Sequence, residues 1–179
     1  MIRSTKTAIH IIILLIMLSI SWIPIEKKNL LGVSQFPGKN LNNFFDLSLF
    51  AKDLEIINKQ KIKLIVSLLP DIELNKLGFD DFIWSKEEIE YIKFPIDDFG
   101  VPSNNKFDEL KELISTIKKN LILSNPVLIH CNGGKGRSGM IAALVLKAMK
   151  EKDTVKKVRY NVVGAIETEE QETFVENWI

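Results

Sequence analysis

An α/β fold, with a central and mostly parallel sheet flanked by helices, is what this sequence predicts, and three features predict it. Short apolar runs ended by strand breakers alternate with stretches whose apolar residues recur at helical spacing. The run at 63–69 is apolar at nearly every position, the pattern of a strand covered on both faces. Another run, Pro126-Val127-Leu128-Ile129, leads into a glycine-rich loop, and an apolar helical pattern leads out from Met140 to Met149. Sheets of this kind bind ligands beyond the carboxyl ends of their central strands, which is where that loop falls.

Each element has its own signal. Residues 46–59 place Leu47, Phe50, Leu54 and Ile57 on one helical face. The strand at 63–69 is stopped by Pro70, and 71–78 reads as a short helix ended by Gly78. A second strand is expected at 90–95. After Pro102, Ser103 and Asn105 offer N-caps for a helix that buries Phe107, Leu110, Ile114, Ile117 and Leu121. The third strand is 127–130, and the next helix starts from Ser138. Internal repeats, low-complexity tracts and internal linkers are absent from the pattern.

Composition narrows the chemistry. With 179 residues the chain is one domain by length, large enough for a proper core. A formal net charge of +1 gives no sign of a nucleic-acid partner, so any attraction for an anion must be local. One cysteine rules out an internal disulfide and metal sites built on several thiolates. His10 and His130 lie far apart and no carboxylate cluster has metal-ligand spacing, so neither a metal nor a cofactor is expected.

Residues 1–19 read as a separate hydrophobic segment. Arg3 and Lys6 precede a stretch from Thr7 to Ile25 without a formal charge, as in a signal peptide or signal anchor. Those 19 residues approach the roughly 20 that span a bilayer. Three expectations stand: a membrane anchor carrying a cytoplasmic catalytic domain, a cleaved signal with Ser19-Ile20-Ser21 as its site, or a soluble cytoplasmic protein.

The chemistry sits in His130-Cys131-Asn132-Gly133-Gly134-Lys135-Gly136-Arg137-Ser138-Gly139. Strand, tight loop and helix converge backbone N–H groups and a helix N-terminus on an anion. A thiol at the floor of such a cradle is favoured as thiolate. Arg137 adds a planar fork suited to two phosphate oxygens. Nucleophile, cradle and clamp within ten residues point to phosphoryl transfer through a phosphocysteine. The leaving oxygen also needs a proton from a carboxylic acid on another loop, and Asp97 and Asp98 lie just past a strand.

This block resembles the HCxxGxxRS signature of the cysteine-dependent protein phosphatases, the protein-tyrosine and dual-specificity superfamily. The stretches LGVSQFPG at 31–38, FPIDDFGVP at 94–102 and GAIETEEQ at 164–171 are similar to the kinase-associated phosphatase branch, also called the cyclin-dependent kinase inhibitor 3 type. The similarity runs from about Ile20 to the C-terminus. It implies a cysteine phosphatase fold, a catalytic domain over 20–179 and an opening strand at 20–23. It also implies hydrolysis of a protein phosphomonoester, on tyrosine or on serine and threonine, with a phosphorylated protein, such as a kinase, as partner.

Carried over residue by residue, the resemblance makes Cys131 the nucleophile, Arg137 the phosphate clamp and Asp98 the general acid, with Asp97 the runner-up. It gives His130 the task of shaping the loop by hydrogen bonding, and Ser138 that of donating to the cysteine sulfur. Asn132, Gly133, Gly134, Lys135 and Gly136 would bind the phosphate, and Gln171 would help to place the attacking water. Two positions depart from the pattern: Glu167 stands where many relatives carry glutamine, and Val162 where many carry a second arginine. A phosphoinositide phosphatase, suggested by Lys135, and a non-catalytic phosphate-binding pseudophosphatase are the alternatives. A sulfur-transfer enzyme of the rhodanese kind has no need of the Arg-Ser pair or the remote aspartate.

Overall fold

The computed structural model describes residues 17–26 and 28–178. Among them, five strands form one sheet in the order β1-β2-β5-β3-β4. β2 (Lys28–Ser34), β5 (Val127–His130), β3 (Leu64–Ser67) and β4 (Glu90–Lys93) run parallel, and β1 (Ser21–Ile25) joins the edge antiparallel to β2. β2 carries no strand prediction, because Asn29, Gly32 and Ser34 interrupt its apolar run.

The helices among the described residues are α1 (Leu47–Lys59), α2 (Asp71–Leu77), α3 (Phe107–Ile122), α4 (Gly136–Ala148), α5 (Thr154–Asn161) and α6 (Glu169–Asn177). Alternate strand residues divide between two apolar layers, as a period of two requires. Leu64, Val66, Val127 and Ile129 face α3, α4, α5 and α6, while Ile65 and Leu128 face α1 and α2 with Phe50, Ile57, Leu74 and Leu77. α4 is buried from Gly136 to Leu146, which is why its sequence is apolar all round.

Several ends behave as read. Asp46 caps α1 by accepting the Ser48 and Leu49 N–H groups, and Gly78 ends α2 in the left-handed region at φ 73°. Others differ. α3 starts at Phe107 after a 3-10 turn over Asn104–Lys106, and neither Ser103 nor Asn105 caps it, since the Ser103 hydroxyl donates to the Asn105 side chain instead. Leu47 stands exposed, because it opens α1 before the helix reaches the sheet. The Lys147 Nζ donates to the Val175 and Glu176 carbonyls at the end of α6.

The anchor and signal readings fall largely on residues 1–16, outside the described residues; among those described, no helix is long and apolar enough to cross a membrane. Leu18 is buried in the α1 layer. Its N–H donates to Asp53 Oδ1 at 2.8 Å, and the Gly38 N–H donates to Asp53 Oδ2 at 2.8 Å.

Candidate active site

At the carboxyl edge of the sheet, the segments after β2, β3, β4 and β5 meet. β5 ends at His130, and the loop of Cys131 to Lys135 turns the chain into α4. Gly134 makes that turn at φ 71°, and any side chain there would collide with the backbone of Ser34 and Gln35 at the end of β2. Cys131 is buried, its Sγ receiving the Gly134 N–H at 3.3 Å and lying 3.4 Å from the Ser138 hydroxyl.

Arg137, in the first turn of α4, is only 2% exposed. Its Nη1 donates to Glu73 Oε1 at 2.6 Å and to the Ile96 carbonyl at 3.0 Å, and its Nη2 donates to Glu73 Oε2 at 3.1 Å. The fork-to-fork contact with Glu73 fixes the guanidinium plane. Nη2 also pairs with Asp98 Oδ1 at 2.8 Å. Burial alone would lower the guanidinium, but Glu73 and the charges at Cys131 and Asp98 outweigh it and hold Arg137 above its ordinary value.

One further donor of the cradle is also engaged. The Gly136 N–H, at the start of α4, donates to Glu167 Oε2 at 2.9 Å. Glu167 thus points at the loop rather than away from it. Ile166 precedes it at φ 57°, a strained setting for a β-branched residue. Arg159 props this segment from behind, donating to the Ala165 and Ile166 carbonyls. Val162 points into the core, not the site. Gln171 is fully buried: its Oε1 accepts the Glu167 N–H at 3.0 Å and its Nε2 donates to the Gly100 carbonyl at 3.2 Å. Both amide ends being taken, Gln171 ties the Asp98 loop to the Glu167 loop.

His130, the last residue of β5, is fully buried. Among the described residues neither buried ring nitrogen has a side-chain partner, and the ring packs edge-on against Phe36, centroids 5.5 Å apart. Burial pushes the imidazole down to about 3, against a hydrogen bond at the Cys131 backbone that raises it and with the Arg137 charge adding to the fall. His130 is therefore neutral. Asn132 faces a residue that the sequence did not single out, Lys39, whose Nζ donates to its carbonyl at 2.8 Å and to its Oδ1 at 2.9 Å. Gly133 and Lys135 are exposed at the mouth.

The structure thus gathers Cys131, Arg137, Ser138 and Asp98 at one place; for Asp97 only a backbone contact is found, its carbonyl accepting the Gly100 N–H. Glu73 and Lys39 escaped sequence reasoning because their partners lie 64 and 93 positions away, and neither stands in a recognisable local pattern. Among the described residues no cluster of His, Cys, Asp and Glu is placed to hold a metal ion.

A mostly parallel sheet of this order with a CxxGxxRS loop at its carboxyl edge is the architecture of the dual-specificity phosphatase superfamily, and solved members superpose on it. The kinase-associated phosphatase, with its catalytic-site cysteine replaced by serine, matches with a TM-score of 0.76 at 24% identity, over 89% of this chain and 92% of its own. The active form of Tk-PTP gives a TM-score of 0.69 at 25% identity, over 88% and 94%. The family model described as "Polymorphic toxin system, DSP-PTPase phosphatase" matches residues 44–150, and the chain belongs to this family. Cyclin-dependent kinase inhibitor 3 of Rattus norvegicus is 29% identical over 171 residues, covering 88% of this chain and 77% of that protein.

Proposed function

We propose that this protein hydrolyses phosphomonoesters of a phosphoprotein through a phosphocysteine, within a catalytic domain that takes in residues 20–179 and the packed Leu18 ahead of them. One observation carries the reading: the buried Cys131 sulfur receives an N–H and faces a hydroxyl beside a buried Arg137 that also touches Asp98. Cys131 attacks phosphorus in line, forming the S–P bond as the P–O bond to the alcohol breaks. Asp98 gives its proton to the leaving oxygen. Arg137 and the loop N–H groups hold the equatorial oxygens, where charge develops. Water then attacks phosphorus and gives a proton to the Asp98 carboxylate, the S–P bond breaks to release phosphate and the thiolate, and Ser138 hydrogen-bonds the departing sulfur. Similarity to a protein named for a cyclin-dependent kinase supports a phosphoprotein as substrate.

The test is hydrolysis of an aryl phosphate by the full chain, wild type beside Cys131→Ser, with vanadate as inhibitor. Turnover that disappears with the thiol and is blocked by vanadate is the expected result. A folded wild-type protein that binds phosphate without turnover would make it a binding module instead. A requirement for a metal ion, shown by loss of rate with chelators, would sink the cysteine route.

A further inference from the structure

We propose that Lys39 is a positioning residue of the phosphate loop, its ammonium fixing Asn132 and supplying a second positive charge beside Cys131. The inference rests on the phosphatase reading and gives a part to the segment between β2 and α1, which that reading leaves without one. The Asn132 carbonyl accepts twice, from Lys39 Nζ at 2.8 Å and from the Phe36 N–H at 3.2 Å. Its side chain accepts a third time, from the same Nζ at 2.9 Å. In a planar trans peptide the C=O and the following N–H point opposite ways. Holding the Asn132 carbonyl toward the β2–α1 segment therefore turns the Gly133 N–H away from it, toward the anion side of the loop.

A lysine that only covered surface would carry its ammonium out to water. Lys39 is half-buried and spends its donors on Asn132. Burial lowers its pKa, and negative charge at Cys131 opposes that fall, so the two charges support each other. The other charged groups around the thiol are Arg137 from α4, Glu73 from α2 and Asp98 from the β4–α3 segment, both held on Arg137. Glu167 faces Gly136 from the α5–α6 segment, and His130 is neutral. Arg137 is thus shared with two carboxylates, whereas among the described residues Lys39 pairs with none.

Cys131 is the one thiol of the chain, so its alkylation by iodoacetamide reports on it alone. Lys39→Met keeps the aliphatic stem and removes the charge; Lys39→Arg keeps the charge. In Lys39→Met the alkylation profile is expected to move up by about one pH unit. Below that range, reactive thiolate and kcat/KM for an aryl phosphate fall about tenfold together. Lys39→Arg restores most of both. If Lys39→Met fails to fold, Lys39→Gln, which retains a donor for Asn132, replaces it. A folded variant with an unmoved alkylation profile overturns the proposal, as does an arginine variant no better than methionine. Alkylation needs no turnover, so a wild type that alkylates normally but leaves aryl phosphates intact counts against the phosphatase reading and not against Lys39.

Discussion

The phosphate loop and the acid loop face each other across Arg137 and are built on opposite lines. The first is buried and held from several sides: Gly134 packs on the β2 backbone, Asn132 is bound by Phe36 and Lys39, and Ser138 and Arg137 are enclosed by α4's surroundings. The second is a turn at the surface, with Asp98 and Phe99 exposed, Phe99 at φ 59°, and its backbone secured by the Gly100 N–H to the Asp97 carbonyl and by side chains of Thr168 and Gln171. The difference teaches that the cradle's geometry is part of the core, while the proposed mechanism delegates proton transfer to a replaceable rim. Changes in the rim should cost activity and spare the fold; changes in the cradle should cost both.

The largest expected effect lies on the rim. Asp98→Asn should lower kcat by about 10²–10⁴ for alkyl phosphates and less for aryl phosphates with good leaving groups, with the thermal midpoint unmoved. Asp97→Asn should leave kcat near wild type; the reverse pair of results would transfer the acid role to Asp97. In the cradle, Gly134→Ala should reduce kcat/KM by about 10² through misplacement of the loop. The same change should lower stability by about 1–3 kcal/mol in urea unfolding, since φ 71° and the β2 backbone both resist a side chain. Loss of activity without loss of stability there would break the comparison.

Smaller effects sharpen it. Glu167 is exposed and its carboxylate occupies a cradle N–H, so Glu167→Gln keeps an acceptor and removes a charge that repels phosphate. Vanadate and phosphate inhibition should tighten a few-fold, about 0.5–1 kcal/mol for an exposed charge; weaker inhibition would show that the carboxylate instead organises the loop. His130 titrates at about 3 when folded, against an ordinary value near 6.5. Below about pH 6.5 the unfolded chain therefore binds more protons than the folded one. The contribution is whole above that pH and is lost as pH falls toward 3, by at most about 1.4 kcal/mol per pH unit. Urea midpoints between about pH 7.5 and 5 should fall less steeply in His130→Leu than in wild type.

What was readable in the sequence follows the same division. Cys131, Arg137 and Ser138 are contiguous, and the strand and helix that flank them announce themselves by their apolar patterns. The choice between Asp97 and Asp98 was not readable from spacing, because adjacent residues in a turn differ only in where the backbone aims them. Glu73 and Lys39 were invisible for a different reason: one lies in α2 and the other in an irregular segment, and only the parallel register of β2, β5 and β3 brings both to the loop. β2 itself was hidden by its glycine and polar residues, and with it went the wall on which Gly134 rests. For His130 the resemblance implies a loop-shaping role, and what no local pattern carries is the burial of its ring against Phe36.

A lone thiol also sets how this site meets oxidants. Within these 179 residues Cys131 has no second sulfur with which to form a protective disulfide. A sulfenic acid formed there must be resolved by a small thiol from solution or by a neighbouring backbone nitrogen, and otherwise proceeds to the irreversible sulfinic state. Enclosure by Gly134 and Ser138 then governs more than reactivity toward phosphorus: it sets how quickly peroxide, and afterwards a rescuing thiol, reaches the sulfur.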